Sequence, residues 1–138
     1  MERAVPAAAH RSRAVAEPAA QPAAEAAVLS KATVRAARLL DLAQREVGRI
    51  LGVSDATASR LFAGHYQLSR ERAKEWELAL LFVRFFRSLD VLWGHEASAR
   101  TWLASDNLAL AARPIDLIGS VEGLVRVVNY LDVARGRV

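Results

Sequence analysis

From residue 31 onward, apolar residues recur at the 3.6-residue spacing of α-helices, and no segment shows the sustained one-by-one alternation of a half-buried strand. Val34, Ala37, Leu39, Leu40 and Leu42 form the first stripe. A short helix is expected over 44–51, ended by Gly52. Ser54 is suited to cap a third helix, which runs to residue 63 and stops at Gly64. Ser69 is placed to cap a long fourth helix with Glu71 in its first turn, reaching residue 92 or 93 before Gly94. A fifth helix is expected over 96–104, then a turn or short helix over 107–113. Pro114 can open another short helix, because the first helical position needs no N–H. The last helix is expected over 121–134, ended by Gly136. The predicted fold class is all-α.

Ahead of these helices, residues 1–28 hold three of the four prolines (Pro6, Pro18, Pro22) among alanines. Proline breaks helices and alanine buries little surface, so this stretch is expected to be a disordered tail. The remainder divides into residues 29–69 and residues 70–138. Arg11, Arg13 and Glu17 interrupt the tail, so it does not resemble a secretory signal. The longest strongly apolar run, residues 78–83, ends at Arg84, far short of the roughly 20 residues that span a bilayer. No membrane association is expected.

The predicted fourth helix is apolar almost all round. Trp76, Leu80 and Val83 share one face, while Leu78, Leu81, Phe82, Phe85, Leu89 and Trp93 cover others. Such a helix is buried on several sides, either wholly within the chain's own core or with one side against a second subunit.

Residues 44–64, QREVGRILGVSDATASRLFAG, have the pattern of a helix-turn-helix. Two helices that cross steeply need a small residue at the crossing, here Gly48, and the turn needs a residue tolerant of positive φ, here Gly52. Val47, Leu51, Val53, Ala58 and Leu61 then point to the junction. The second helix of such a pair enters the major groove of DNA by its N-terminal part. That presents Ser54, Asp55, Ala56, Ser59 and Arg60. Arg60 has the fork that reads guanine, Asp55 can accept from cytosine, and Thr57 and Ser59 suit base edges or phosphates. Gln44, Arg45 and Lys31 are candidates for the DNA backbone.

Charge supports this placement. Residues 31–75 carry nine basic and five acidic side chains, whereas residues 1–30 carry three of each and residues 76–138 seven of each. The whole net charge of +4 therefore resides in the segment with the helix-turn-helix, which implies an anionic partner. With 53% apolar and 25% charged residues the chain can build a folded core, and without cysteine it has no disulfide or thiol chemistry.

Beyond residue 93 an ordered set of elements stands out: Trp102-Leu103, Asn107-Leu108, the run Pro114, Ile115, Asp116, Leu117, Ile118, then Glu122-Gly123, Val127, Tyr130-Leu131 and Gly136. This set resembles the toxin-binding domain of the Xre/MbcA/ParS antitoxin family, and with the helix-turn-helix the resemblance covers residues 31–138. It implies an Xre-like helix-turn-helix domain followed by a small helical toxin-binding domain, in a cytoplasmic antitoxin; a homodimer is expected because helix-turn-helix proteins often bind two half-sites as dimers. The implied partners are a RES-type toxin that consumes NAD and operator DNA in the antitoxin's own promoter. Implied too is a block of the toxin's NAD pocket. The family usually has a glycine-rich turn before the proline, where this chain has Ala109, Leu110, Ala111, Ala112 and Arg113. Trp102, Leu103, Ile115, Leu117, Ile118, Val127 and Leu131 suit a core. The candidates for toxin contact are Arg113, Asp116, Arg126, Asn129 and Tyr130, with Arg135, Gly136, Arg137 and Val138 projecting past the last helix as a short plug.

Nothing in the pattern suggests catalysis. His10, His65 and His95 are scattered, no phosphate-binding glycine loop occurs, and no nucleophile, base and orienting group can be assembled. No cofactor is expected. A stand-alone transcription regulator with a C-terminal dimerisation domain, or an adaptor, would share many of these features.

Overall fold

Alanine gives up no side-chain freedom in a helix, and this moves the start of the fold well upstream of Lys31. In the computed structural model, which describes residues 20–94 and 96–136, the first described helix, α1, covers Ala20–Leu39. The tail expected over residues 1–28 is thereby corrected over residues 20–28, and its remainder lies outside the described residues. Pro22 is tolerated because it sits in the first turn, whose N–H groups have no helical partner. Further along, Leu29 and Ser30 are buried, and the Ser30 hydroxyl accepts from the Leu68 N–H at 3.0 Å.

The other helices are α2 (Gln44–Leu51), α3 (Asp55–Ala63), α4 (Ala73–Trp93), α5 (Glu96–Ala104), α6 (Pro114–Leu117) and α7 (Val121–Ala134). Their order and most of their limits agree with the apolar periodicity. The start of α4 does not. The Ser69 hydroxyl accepts from the Glu71 N–H at 3.2 Å and closes only a turn. The helix begins after Arg72, whose backbone is non-helical and whose guanidinium donates to the Gln67 carbonyl at 2.5 Å and the Glu75 carboxylate at 3.0 Å. Among the described residues the only β-type pairing is an isolated bridge between Asn107 and Ala112.

The long helix α4 packs against α1, α2, α5 and α7. Trp76, Leu78, Ala79, Phe82, Val83, Phe85, Ser88 and Leu89 are buried. The chain's own helices thus cover most of α4, while Leu80 remains half exposed. The two units expected at 29–69 and 70–138 therefore share a helix: α1 and α2 pack on it, and so do α5 and α7. Arg100 of α5 reinforces this by donating to the Leu39 carbonyl at the end of α1, at 2.8 Å.

Two backbone positions are closely constrained. At Gly123 in the first turn of α7, a Cβ atom would lie 1.9 Å from the Leu117 carbonyl oxygen, so only glycine lets α6 and α7 meet. Ala111, in the stretch where the resembling family has glycine, adopts φ +58°. A non-glycine residue in this left-handed region costs roughly 1–2 kcal/mol. The turn keeps its shape through hydrogen bonds rather than through glycine: Asn107 N–H to Ala112 O at 3.1 Å, and Leu110 N–H to the Asn107 side chain at 3.0 Å.

These two positions predict opposite responses in thermal or urea unfolding. Ala111→Gly should stabilise the chain by about 0.5–1 kcal/mol, the relieved strain less the extra freedom of glycine in the unfolded state. Gly123→Ala should destabilise it by at least about 3 kcal/mol, because the obstructing atom is backbone.

Candidate nucleic-acid interface and partner face

The helix-turn-helix assembles from capping and close packing. The Glu46 carboxylate accepts from the Ala43 N–H at 2.7 Å, which starts α2. A Cβ at Gly48 would stand 3.1 Å from the Val53 carbonyl oxygen and 3.5 Å from the Ala58 Cβ, so the small residue permits the crossing. Val47, Leu51, Ala58 and Leu61 are buried at the junction, and Val53 is half-buried. At the start of α3 the Ser54 hydroxyl accepts from the Thr57 N–H at 3.1 Å.

Along α3 and its cap, Ser54, Asp55, Ala56, Ser59 and Arg60 are all exposed, as the major-groove geometry requires. Thr57 is half-buried, and its hydroxyl oxygen accepts from Ser54 at 3.0 Å and from Arg60 at 3.3 Å. Thr57 thus serves the cap and steers Arg60 before it meets any base. Gln44 and Arg45 are exposed at the start of α2.

Lys31 belongs to a set that the sequence reading left incomplete. With Arg35 and Arg38 it lines a groove of about 400 Å³ between α1 and the end of α3, beside Phe62 and Tyr66. Arg38 lies over the Phe62 ring at 5.6 Å and donates to the Phe62 carbonyl. The i, i+4, i+7 spacing of these three basic residues was the available signal. Close by, the Tyr66 hydroxyl donates to Glu75, and the guanidinium of Arg72 lies 4.8 Å from the Tyr66 ring. Burial, then the Glu75 carboxylate, raises the Tyr66 phenol above its ordinary value, so it stays protonated as a donor.

Among the C-terminal candidates, several polar side chains are already engaged within the chain. Arg113 and Asp116 form a two-bond ion pair at 2.9 and 3.1 Å, which raises the Arg113 guanidinium above its ordinary value. Arg126 donates to the Leu110 carbonyl at 2.7 Å. Tyr130 is half-buried and stacks on Trp102, which in turn lies 5.1 Å from Trp93. Asn129 is exposed. Arg135 corrects the expectation of a projecting tail. It is half-buried and donates to the Ser88 hydroxyl on α4 at 2.8 Å, because that hydroxyl is fully buried and needs a partner. Gly136 is exposed at φ +78°, while Arg137 and Val138 lie outside the described residues. Trp102, Ile115 and Leu117, expected in the core, are only partly buried against it, whereas Leu103, Ile118, Val127 and Leu131 are buried.

Arg84 of α4 pairs with Asp132 of α7 beside the Arg135–Ser88 bond. The second carboxylate oxygen of Asp132 is buried and has no partner among the described residues. Elsewhere on α4, Trp76, Leu80 and Val83 line an apolar groove of about 470 Å³ with Val28 and Leu29 of α1. The Glu25–Arg70 ion pair, at 2.8 Å, borders it. Among the described residues no group of three histidine, cysteine or acidic side chains stands close enough to hold a metal ion, and no helix is long and apolar enough to cross a membrane.

Two known domains match the chain in this order. Residues 19–84 match the antitoxin Xre-like helix-turn-helix domain. Residues 88–137 match the antitoxin Xre/MbcA/ParS C-terminal toxin-binding domain. The matched segments meet inside α4, between Arg84 and Ser88. No curated protein matches the chain.

The Arg84–Asp132 pair joins these two segments, and its removal is measurable. Arg84→Ala should cost about 1–2 kcal/mol in urea unfolding, less than a fully buried pair because Arg84 is half exposed. Adding Asp132→Asn should recover part of that loss, since a neutral amide is cheaper to bury than a carboxylate.

Proposed function

The chain belongs to the Xre/MbcA/ParS-type antitoxins, and we propose that it neutralises a RES-type, NAD-consuming toxin by direct binding and represses its own promoter through α2 and α3. One observation carries this reading: a single helix, α4, packs against α1 and α2, which seat the exposed recognition helix α3, and runs on into the segment matched to toxin binding. The protein acts in the cytoplasm by binding, not by catalysis.

On DNA, the exposed residues of α3 enter the major groove. Arg60 reads a guanine, with Asp55, Ala56, Thr57 and Ser59 around it and Ser54 at the helix cap. Gln44 and Arg45, with Lys31, Arg35 and Arg38, hold phosphates. Two copies are needed for a palindromic site, and the apolar groove with half-exposed Leu80 gives the chain a face to pair through. On the toxin, Asn129 and Tyr130 contribute directly. Arg113, Asp116 and Arg126 must first exchange their internal partners. The chain from Gly136 onward, with Arg137 and Val138, enters the NAD pocket, while Arg135 anchors this segment to α4.

Binding to a promoter fragment should weaken steeply with added salt, because phosphate contacts release counterions. Arg60→Ala should cost about 1–3 kcal/mol at one base pair. Equal loss on every sequence would reduce Arg60 to a phosphate contact, and no binding to the promoter, with or without toxin, would overturn repression. Separately, deletion of Arg137 and Val138 should leave DNA binding and stability intact and weaken inhibition of NAD consumption at least about tenfold, or roughly 1.4 kcal/mol. Full inhibition by the shortened chain would exclude the plug.

A further inference from the structure

Leu108 is fully exposed, at 100%, in the turn that joins α5 to α6. A single exposed leucine is ordinary on a protein surface. What distinguishes this one is how firmly its turn is held. Asn107 N–H bonds Ala112 O at 3.1 Å, and Ala111 N–H bonds the carbonyl of Leu108 itself at 3.3 Å. The Asn107 side chain holds the Leu110 N–H, the Leu110 side chain is buried, and Arg126 of α7 grips the Leu110 carbonyl at 2.7 Å. Ala111 meanwhile carries the strain of a positive φ. A slack loop would let the leucine fold back onto nearby apolar side chains. This turn keeps it out in solvent, and strain of this kind concentrates at binding sites.

The turn is tied to an outward face of α7 that is apolar in part. Val125 and Val133 are exposed on either side of Asn129, at i, i+4 and i+8. The charges around them are mixed: Asp106, the Arg113–Asp116 pair, Glu122 and Arg126. An anionic lipid surface or a nucleic acid would call for a basic excess, and none exists here. An apolar knob among balanced charges fits a protein with an apolar pocket and a polar rim.

We propose that Leu108 is an anchor residue for the toxin, inserted into an apolar pocket of the toxin surface, with Val125 and Val133 packed around it. This rests on the antitoxin reading above and adds to it a contact distant in sequence from the C-terminal residues. A side chain already held in its bound position loses little freedom on docking, and residues that fill such pockets dominate the affinity of an interface.

Because the Leu108 side chain is wholly exposed, its replacement leaves the fold intact. The test compares wild type, Leu108→Asp and Leu108→Met for binding to a purified RES-domain protein co-expressed with the chain, by calorimetry. Leu108→Asp should weaken binding at least about tenfold and Leu108→Met less than about threefold, as expected for an apolar anchor. Thermal unfolding and promoter binding should be unchanged in both. If Leu108→Asp binds the RES-domain protein as tightly as wild type, the anchor is wrong and the antitoxin reading stands. If wild type itself does not bind that protein, both fall. If Leu108→Asp instead lowers the mass of the free chain in sedimentation, the leucine meets a second copy and the toxin assignment is overturned.

Discussion

A helix that is apolar on nearly every side has to be covered on nearly every side, and α4 imposes that requirement on the rest of the chain. Phe82 and Phe85 are fully buried within it. Burial of one such side chain contributes about 1.5–3 kcal/mol, so the pair alone is comparable with a large share of the net stability of an ordinary domain, about 5–15 kcal/mol. Covering α4 brings α1 and α2 to it, and likewise α5 and α7. The DNA-reading helix α3 is placed by α1 and α2, and these in turn pack on α4, which the toxin-binding segment also covers. The two functions are built on one core rather than on two cores joined by a linker, and a change in the packing of α4 bears on both.

Polar side chains complete this arrangement in a consistent way. Arginines of the C-terminal half reach back to groups that would otherwise lack partners: Arg100 to the end of α1, Arg126 to the 107–112 turn, Arg135 to Ser88 and Arg84 to Asp132. Buried polar groups left without partners are costly, so these long donors are held by the fold. Among the basic residues around α3, Arg60 on the recognition helix is held less. Arg60 has one bond, to Thr57, and a place 6.0 Å from the Tyr66 ring. The same residue type thus serves as a structural tie at some positions and as an exposed contact at others.

The sequence by itself determined the helices and the helix-turn-helix, because these follow from local rules. Apolar spacing and Gly136 marked the extent of α7, Gly48 and Gly52 marked the crossing and the turn, Ser54 marked the start of α3, and Pro114 marked the start of α6. Residues that face a partner across the fold obey no local rule. Nothing near Arg135 in sequence reveals Ser88, which lies 47 residues earlier, and nothing near Leu108 reveals that Arg126 fastens its turn. The start of α1 escaped because three prolines outweighed an alanine-rich stretch whose helix is completed by burial of Leu29 and Ser30. Tertiary structure alone decided which arginines are taken up inside the fold and which stay free, and that the largest fully exposed apolar side chain among the described residues sits on a braced turn. The physical reason is that such choices depend on which distant groups would otherwise be left buried without partners, a property of the packed chain and not of any window along it.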